Sequence, residues 1–167
     1  MIEEYFGFKY REGDIDVSLS SFSENELPDE LVPVLGNSQL VQITLTRSNG
    51  EARIGLTNIL EISKRIREFI EEHPDDIFYY YCDEIHPIPH TSPNKSKLPP
   101  AQYRNRLFSS LTQRSMSQVS HGKYVDRPII ITTDLSISFI HLIYDQSLQE
   151  KATGIDNYLK GLAQDEK

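Results

Sequence analysis

Apolar and polar residues alternate strictly at the start of the chain. Phe6, Phe8 and Tyr10 interleave with Tyr5, Gly7 and Lys9, and after the turn residues Arg11-Glu12-Gly13-Asp14 the same period resumes with Ile15, Val17 and Leu19. A period of two places one set of side chains on a buried face and the other in water, so the pair predicts a β-hairpin. Residues 23–39 break the pattern with an acidic stretch holding Pro28, Pro33 and Gly36. That length predicts a functional or loosely held loop, with one short helical turn around residues 29–32. Alternation returns at Val41, Ile43 and Leu45 and runs into Ser48-Asn49-Gly50. Asn-Gly suits the two positive-φ positions of a tight hairpin turn, and residues 51–54 are expected to form the returning strand.

From Asn58 the period changes to that of a helix. Ile59, Ile62, Ile66, Phe69 and Ile70 share one face, charged residues cover the other, Asn58 and Glu61 read as a cap, and Pro74 closes the segment. Residues 77–83 are apolar at nearly every position, which predicts a strand buried on both faces and so central in its sheet. A Pro-rich irregular segment, 84–99, leads to Pro100, a residue suited to the first turn of a helix that carries Tyr103, Leu107, Phe108 and Leu111 inward. Strands at 128–133 and 137–144, joined through Thr133-Asp134-Leu135-Ser136, predict a second hairpin. Ser147-Leu148-Gln149-Glu150 has the form of a capping box ahead of a helix with the stripe Ala152, Ile155, Leu159 and Leu162. The order β-β-β-β-α-β-α-β-β-α predicts a single α+β domain spanning residues 1–167, with one mainly antiparallel sheet and about three helices packed on one face. There is no internal repeat.

At 167 residues the chain is long enough for a full hydrophobic core. The lone cysteine, Cys82, excludes an intramolecular disulfide and the usual thiolate zinc sites. No apolar run approaches the ~20 residues that a membrane helix needs, and the opening Met1-Ile2-Glu3-Glu4 is unlike a signal peptide, so a cytoplasmic protein that binds no membrane is expected. The net charge of −8 opposes nucleic acid, whose binders neutralise phosphate with basic surface. A local basic cluster of Arg106, Arg114, Lys123 and Arg127 does not offset it.

Three short motifs stand out between residues 73 and 108: His73-Pro74-Asp75, Tyr81-Cys82-Asp83 and Arg104-Asn105-Arg106-Leu107-Phe108. In these the chain resembles an uncharacterised family of small bacterial proteins, in which an Asn-Pro-Asp helix end, a strand closing in Tyr-x-Cys-Asp and an Arg-Asn-Arg-Leu-Phe helix follow one another. The resemblance implies the same strand-and-helix unit here and supplies no activity. The family's connection between the last two motifs is short and contains Gly, whereas here it is longer and rich in His and Pro, so no role for it carries over.

The strand–loop–helix unit from Tyr79 to Leu111 is where chemistry is expected. Asp83 follows the carboxyl end of a central strand, the next helix offers its positive N-terminus, and Arg104 with Arg106 can add bidentate recognition of an anion. The same residues equally predict an internal Asp83–arginine pair that pins helix to sheet. His86 and His90 complete the ligand-binding set as proton carriers near neutral pH. They are four apart, as metal ligands on a helix would be, but Pro87 and Pro89 forbid that helix, and no metal or other cofactor is expected. Cys82 lies in an apolar strand and reads as a small hydrophobe, and neither a Gly-x-Ser-x-Gly elbow nor a phosphate-binding glycine loop is present. His141, flanked by Ile140 and Leu142, reads as a satisfied sheet residue, and the run Phe78-Tyr79-Tyr80-Tyr81 as core packing divided between two faces.

The expectation is therefore a non-enzymatic binding protein that engages a protein partner, its acidity steering it towards a basic one, as an immunity, antitoxin or defence-accessory protein would be. The alternative is a small enzyme or anion-ligand sensor built on Asp83, Arg104 and Arg106. Nothing in the chain sets an oligomeric state.

Overall fold

A computed structural model describes residues 1–11, 13–23, 25–49, 55–82, 99–119, 122–133 and 136–165. Strands β1 (Glu3–Tyr10), β2 (Gly13–Ser21) and β3 (Leu40–Asn49) form an antiparallel meander. Helix α2 (Leu56–Glu72) then crosses over, and β4 (Ile77–Cys82) pairs parallel to β3. After α3 (Pro100–Met116), strands β5 (Tyr124–Thr132) and β6 (Ile137–Asp145) make a hairpin that joins β4 through β6. The result is one six-stranded sheet in the order β1-β2-β3-β4-β6-β5, antiparallel except for β3 and β4. Short α1 (Val32–Leu35) lies in the long second connection, and α4 (Gln149–Asp165) follows the last strand.

The alternation of β1 and β2 acts as expected. Ile15, Val17 and Leu19 are buried and face α2, while Asp16 and Ser18 face the other way. Burying side chains of this size contributes roughly 1.5–3 kcal/mol each. Strand β4 is central, and the helix that opens at Pro100 does dock against it, with the Phe108 ring 5.7 Å from that of Tyr80 and Ala101 buried in the same cluster as Cys82.

Helix packing departs from the expectation. Four α-helices occur among the described residues, and they lie on both faces of the sheet. Helices α2 and α3 cover one face across β1 to β6, whereas α1 and α4 cover the other face over β4, β6 and β5 only. The physical reason is that β4 and β6 are apolar at consecutive positions, as in Phe78 beside Ile77 and Ile143 beside Leu142 and Tyr144, all buried. A strand apolar on both sides needs a cover on both sides. The remaining half of that second face, over β1 to β3, carries Asp16, Ser18, Gln42 and Thr44 and has no described helix on it.

Boundaries also shift. Helix α1 starts three residues after the expected turn at residue 29, and β5 starts at Tyr124, before the expected 128. Asn58 lies inside α2, whose cap is Gly55 with no side-chain bond, so the expected capping role fails. The box at Ser147 is likewise displaced: Asp145 is the cap, its Oδ1 accepting from Ser147 N at 2.9 Å ahead of a 3₁₀ turn, Gln146–Leu148. The expected return strand at 51–54 lies outside the described residues.

Helix α4 is seated on α1 through a glycine. A Cβ at Gly154 would stand 2.6 Å from Val34 Cγ1, and a β-branched valine has little freedom to swing aside, whereas a Cβ at Gly161 meets nothing within 4 Å. Gly154→Ala is expected to cost about 1–3 kcal/mol by overpacking, and Gly161→Ala to stabilise by about 0.5–1 kcal/mol through helix propensity. Urea unfolding of the two variants beside the parent protein measures both.

Candidate functional site

Two polar networks and one apolar pocket hold the unusual chemistry of the described residues. The first network lies between α3 and the sheet. His141 in β6 is fully buried, at 0% exposure, and its Nδ1 is 2.7 Å from Oδ1 of Asp126 in β5. Ser109 in α3 donates to the other carboxylate oxygen of Asp126 at 3.1 Å, and Asn105, one turn earlier, meets His141 Nε2. The imidazole stacks on Tyr80, ring centres 4.6 Å apart and planes within 6°. An ionised carboxylate only accepts, so Nδ1 carries the hydrogen of its bond, and the Asn105 amide can satisfy Nε2 in either protonation state.

Serine, aspartate and histidine here do not form a nucleophile triad. Ser109 and His141 both bond to Asp126, so the hydroxyl meets the carboxylate and not the imidazole that a triad would set against it. The His141 and Asp126 side chains are 1% and 4% exposed, which keeps substrate out. The arrangement is a polar strut from helix to sheet. Beside it, the Tyr80 hydroxyl is buried near Thr112 with no hydrogen bond of good geometry, and burial, reinforced by the Asp126 charge, pushes its pKa far upward.

The second network joins β5 to α4 on the opposite face. Arg127 donates from Nη1 to Thr153 Oγ1 at 2.9 Å and from Nη2 to Asp156 Oδ2 at 2.8 Å, with Lys160 Nζ 2.9 Å from Asp156 Oδ1. Arg127 is thereby spent internally and leaves the expected basic cluster. A third tie, Lys151 Nζ to Leu35 O at 2.7 Å and to Ser38 Oγ at 2.8 Å, holds α4 to the end of α1.

Asp83, His86 and His90 lie outside the described residues. Arg104 is buried at 6% exposure and is engaged, whereas Arg106 is exposed. Two positions on a helix are about 200° apart, so one guanidinium turns into the protein as the other turns out. The two arginines do not form one anion-binding fork. No group of three metal-ligating side chains exists among the described residues.

The pocket was not anticipated. It has a volume of about 240 Å³ and opens on the face that α4 covers. Phe22, Leu27, Pro28 and Leu31 from the long connection form one wall, Leu40, Tyr79, Ile140 and Leu142 the floor, and Ile155, Tyr158 and Leu159 of α4 the other wall. Phe22 stacks on Tyr79 with centres 6.2 Å apart. Glu26 is the one acidic group in the lining. Its carboxylate accepts from Ser23 N and Oγ at 2.9 and 2.8 Å, bonds that hold its pKa below the ordinary value and keep it charged. The signal available in the sequence was the long connection, which does build a wall, but the partner wall comes from a helix more than a hundred residues away.

Neither a family model, nor a curated protein, nor a solved structure matches the chain. The reading of the site therefore rests on its own geometry.

Removing Asp126 leaves His141 buried without its acceptor, so Asp126→Ala is expected to cost about 1–3 kcal/mol in denaturant unfolding. The tyrosines give a pH test. Burial pushes Tyr79 up to about 12, and burial with the Glu61 hydrogen bond does the same for Tyr10. A tyrosine in the unfolded chain titrates near ~10. The folded state thus holds its protons more tightly, its advantage is complete below that pH, and stability falls as pH climbs from there through about 12. Unfolding midpoints measured along an alkaline series should show this fall, and Tyr79→Phe with Tyr10→Phe should make it shallower, the remainder coming from the buried Tyr80.

Proposed function

We propose that the chain is a binding module for a protein partner, receiving an apolar side chain of a basic segment in the pocket beneath Phe22 and Leu159. The observation that supports it most is the pocket itself: nearly all apolar, open to solvent, and bordered by the charged Glu26 with exposed Asp29 and Glu30 close by in sequence. Exposed apolar concavities with a polar margin are typical of docking sites. The net charge of −8 favours encounter with a basic partner. The polar half of the same sheet face, which no described helix covers, lies beside the pocket. The His141–Asp126 network is closed to solvent, and in the second network the exposed Lys160 is already paired with Asp156.

The test is co-purification from the source cells followed by reconstitution from purified components. A binary complex that weakens as salt rises, and that loses about tenfold in affinity with Leu159→Asp or Leu27→Asp, supports the reading. A chain that recovers no partner, or a complex indifferent to both substitutions, overturns it.

A further inference from the structure

The two edges of the sheet are built differently. Ser21 N donates to Ile2 O at 2.9 Å, and the β1–β2 register runs on from that pair without irregularity. Hydrogen-bonded and non-bonded pairs alternate in an antiparallel ladder, so the even-numbered residues of β1 turn their backbone groups towards β2. Glu3, Tyr5, Gly7 and Lys9 turn theirs outward, to an edge with no described strand beyond it. At the other edge, Gln146 N donates to Lys123 O and Thr133 N to Ser136 O, which sets the odd-numbered residues of β5 towards β6. Pro128 therefore occupies an outward position, where it removes a donor and blunts that edge.

In β1 the residue in the equivalent outward, mid-strand place is a glycine. Nothing among the described residues requires it. Its φ is not positive, and a Cβ there would meet only Asp16 Oδ1 at 3.6 Å and Tyr5 Cε1 at 3.8 Å, ordinary contacts. Glycine weakens a strand interior and marks places where another backbone comes close.

We infer that β1 pairs antiparallel with β1 of a second copy of the chain about a two-fold axis through Gly7, making a continuous twelve-stranded sheet. Such an axis is perpendicular to the sheet, so residues directly opposite one another share a face and have numbers of equal parity. Centring on Gly7 places Gly7 opposite its counterpart, Tyr5 opposite Lys9 and Glu3 opposite Arg11. Glu3, Tyr5, Gly7 and Lys9 are the residues whose outward backbone groups have no described strand beside them, and every pair except the one on the axis occurs twice by symmetry. The pairing sets Glu3 against Arg11 as opposite charges, and on the face that bears α2 it sets Phe6 against Phe8, an aromatic cross-strand pair. All four charged side chains, Glu3, Glu4, Lys9 and Arg11, are exposed in the protomer and free to make such contacts. The glycine pair leaves no side chain at the axis to hold the strands apart. This interface is distinct from the pocket and stands independently of it.

Analytical ultracentrifugation of the full chain should find a reversible species of twice the 19.2 kDa chain mass. Glu3→Arg and Arg11→Glu should each raise its dissociation constant about tenfold or more, because each turns two attractive pairs into repulsive ones. Mixing the two variants restores both attractions, so the mixture should dimerise as the parent does. Gly7→Pro should abolish the dimer with circular dichroism unchanged, and if that variant does not fold, the charge-swap pair decides the matter alone. A chain that is monomeric at every soluble concentration overturns the inference. So does a dimer insensitive to the two charge reversals, or a β1 edge that takes up an extended peptide of another protein while the chain stays monomeric.

Discussion

Asp126 carries a carboxylate into the interior beneath α3, and that placement dictates what surrounds it. A buried charge is tolerable only when its lone pairs are met, and here one oxygen takes His141 and the other takes Ser109. His141 in turn needs a partner for its second nitrogen and finds Asn105. The inward face of α3 therefore carries a polar strip beside its apolar residues Ala101, Phe108 and Leu111, where an ordinary amphipathic helix would be apolar throughout. Directional bonds also fix the rotation of the helix more narrowly than apolar contact would, since a helix turned by one residue would break both the Asn105 and the Ser109 bonds.

That requirement explains where reading the chain succeeded and where it failed. The strands at 5–10, 15–19, 41–45 and 77–83 were legible because alternation, or its absence, reports burial of one face or two. The central position of β4 followed from the same logic. The face of α3 was not legible. Leu107, Phe108 and Leu111 were expected inward, but Arg104, Asn105 and Ser109 also turn to the interior, and no periodicity of apolar residues can announce a polar stripe whose partners come from strands 17 to 36 residues further along. His141 was legible as a satisfied residue, since it stands between apolar neighbours in a strand. The pocket was only half legible: its wall from the 23–39 connection was visible as an unusually long loop, while the wall from α4 depends on the three-dimensional return of the chain.

The two faces of the sheet divide the labour. One face is covered from β1 to β6 by α2 and α3 and holds the larger apolar cluster. Among the described residues the other is covered by α1 and α4 over β4, β6 and β5, and the pocket sits where that cover ends. A layer that stops part-way across a sheet leaves a step, and the step is walled by the last turns of one helix and the side of a loop. The acidic connection joins antiparallel neighbours whose ends meet at Ser21 and Val41, so its length is not needed to link the strands and instead supplies α1 and the pocket wall. Phe22, at its start, and Leu31, at its middle, are the residues that wall the depression on this side.

Helix α4 is the last described element to emerge during synthesis, and it supplies Ala152 and Ile155 to a cluster whose other members, Ile129, Leu142 and Tyr144, lie in strands made earlier. Until it arrives, the nascent sheet presents an uncovered apolar band on one side while its opposite side is already closed. Chain elongation at about 5–20 residues per second leaves that band open for roughly a second or more. The Lys151 and Asp156 ties then act as a closing latch, and the interval before they form is the window in which a chaperone would find its binding surface.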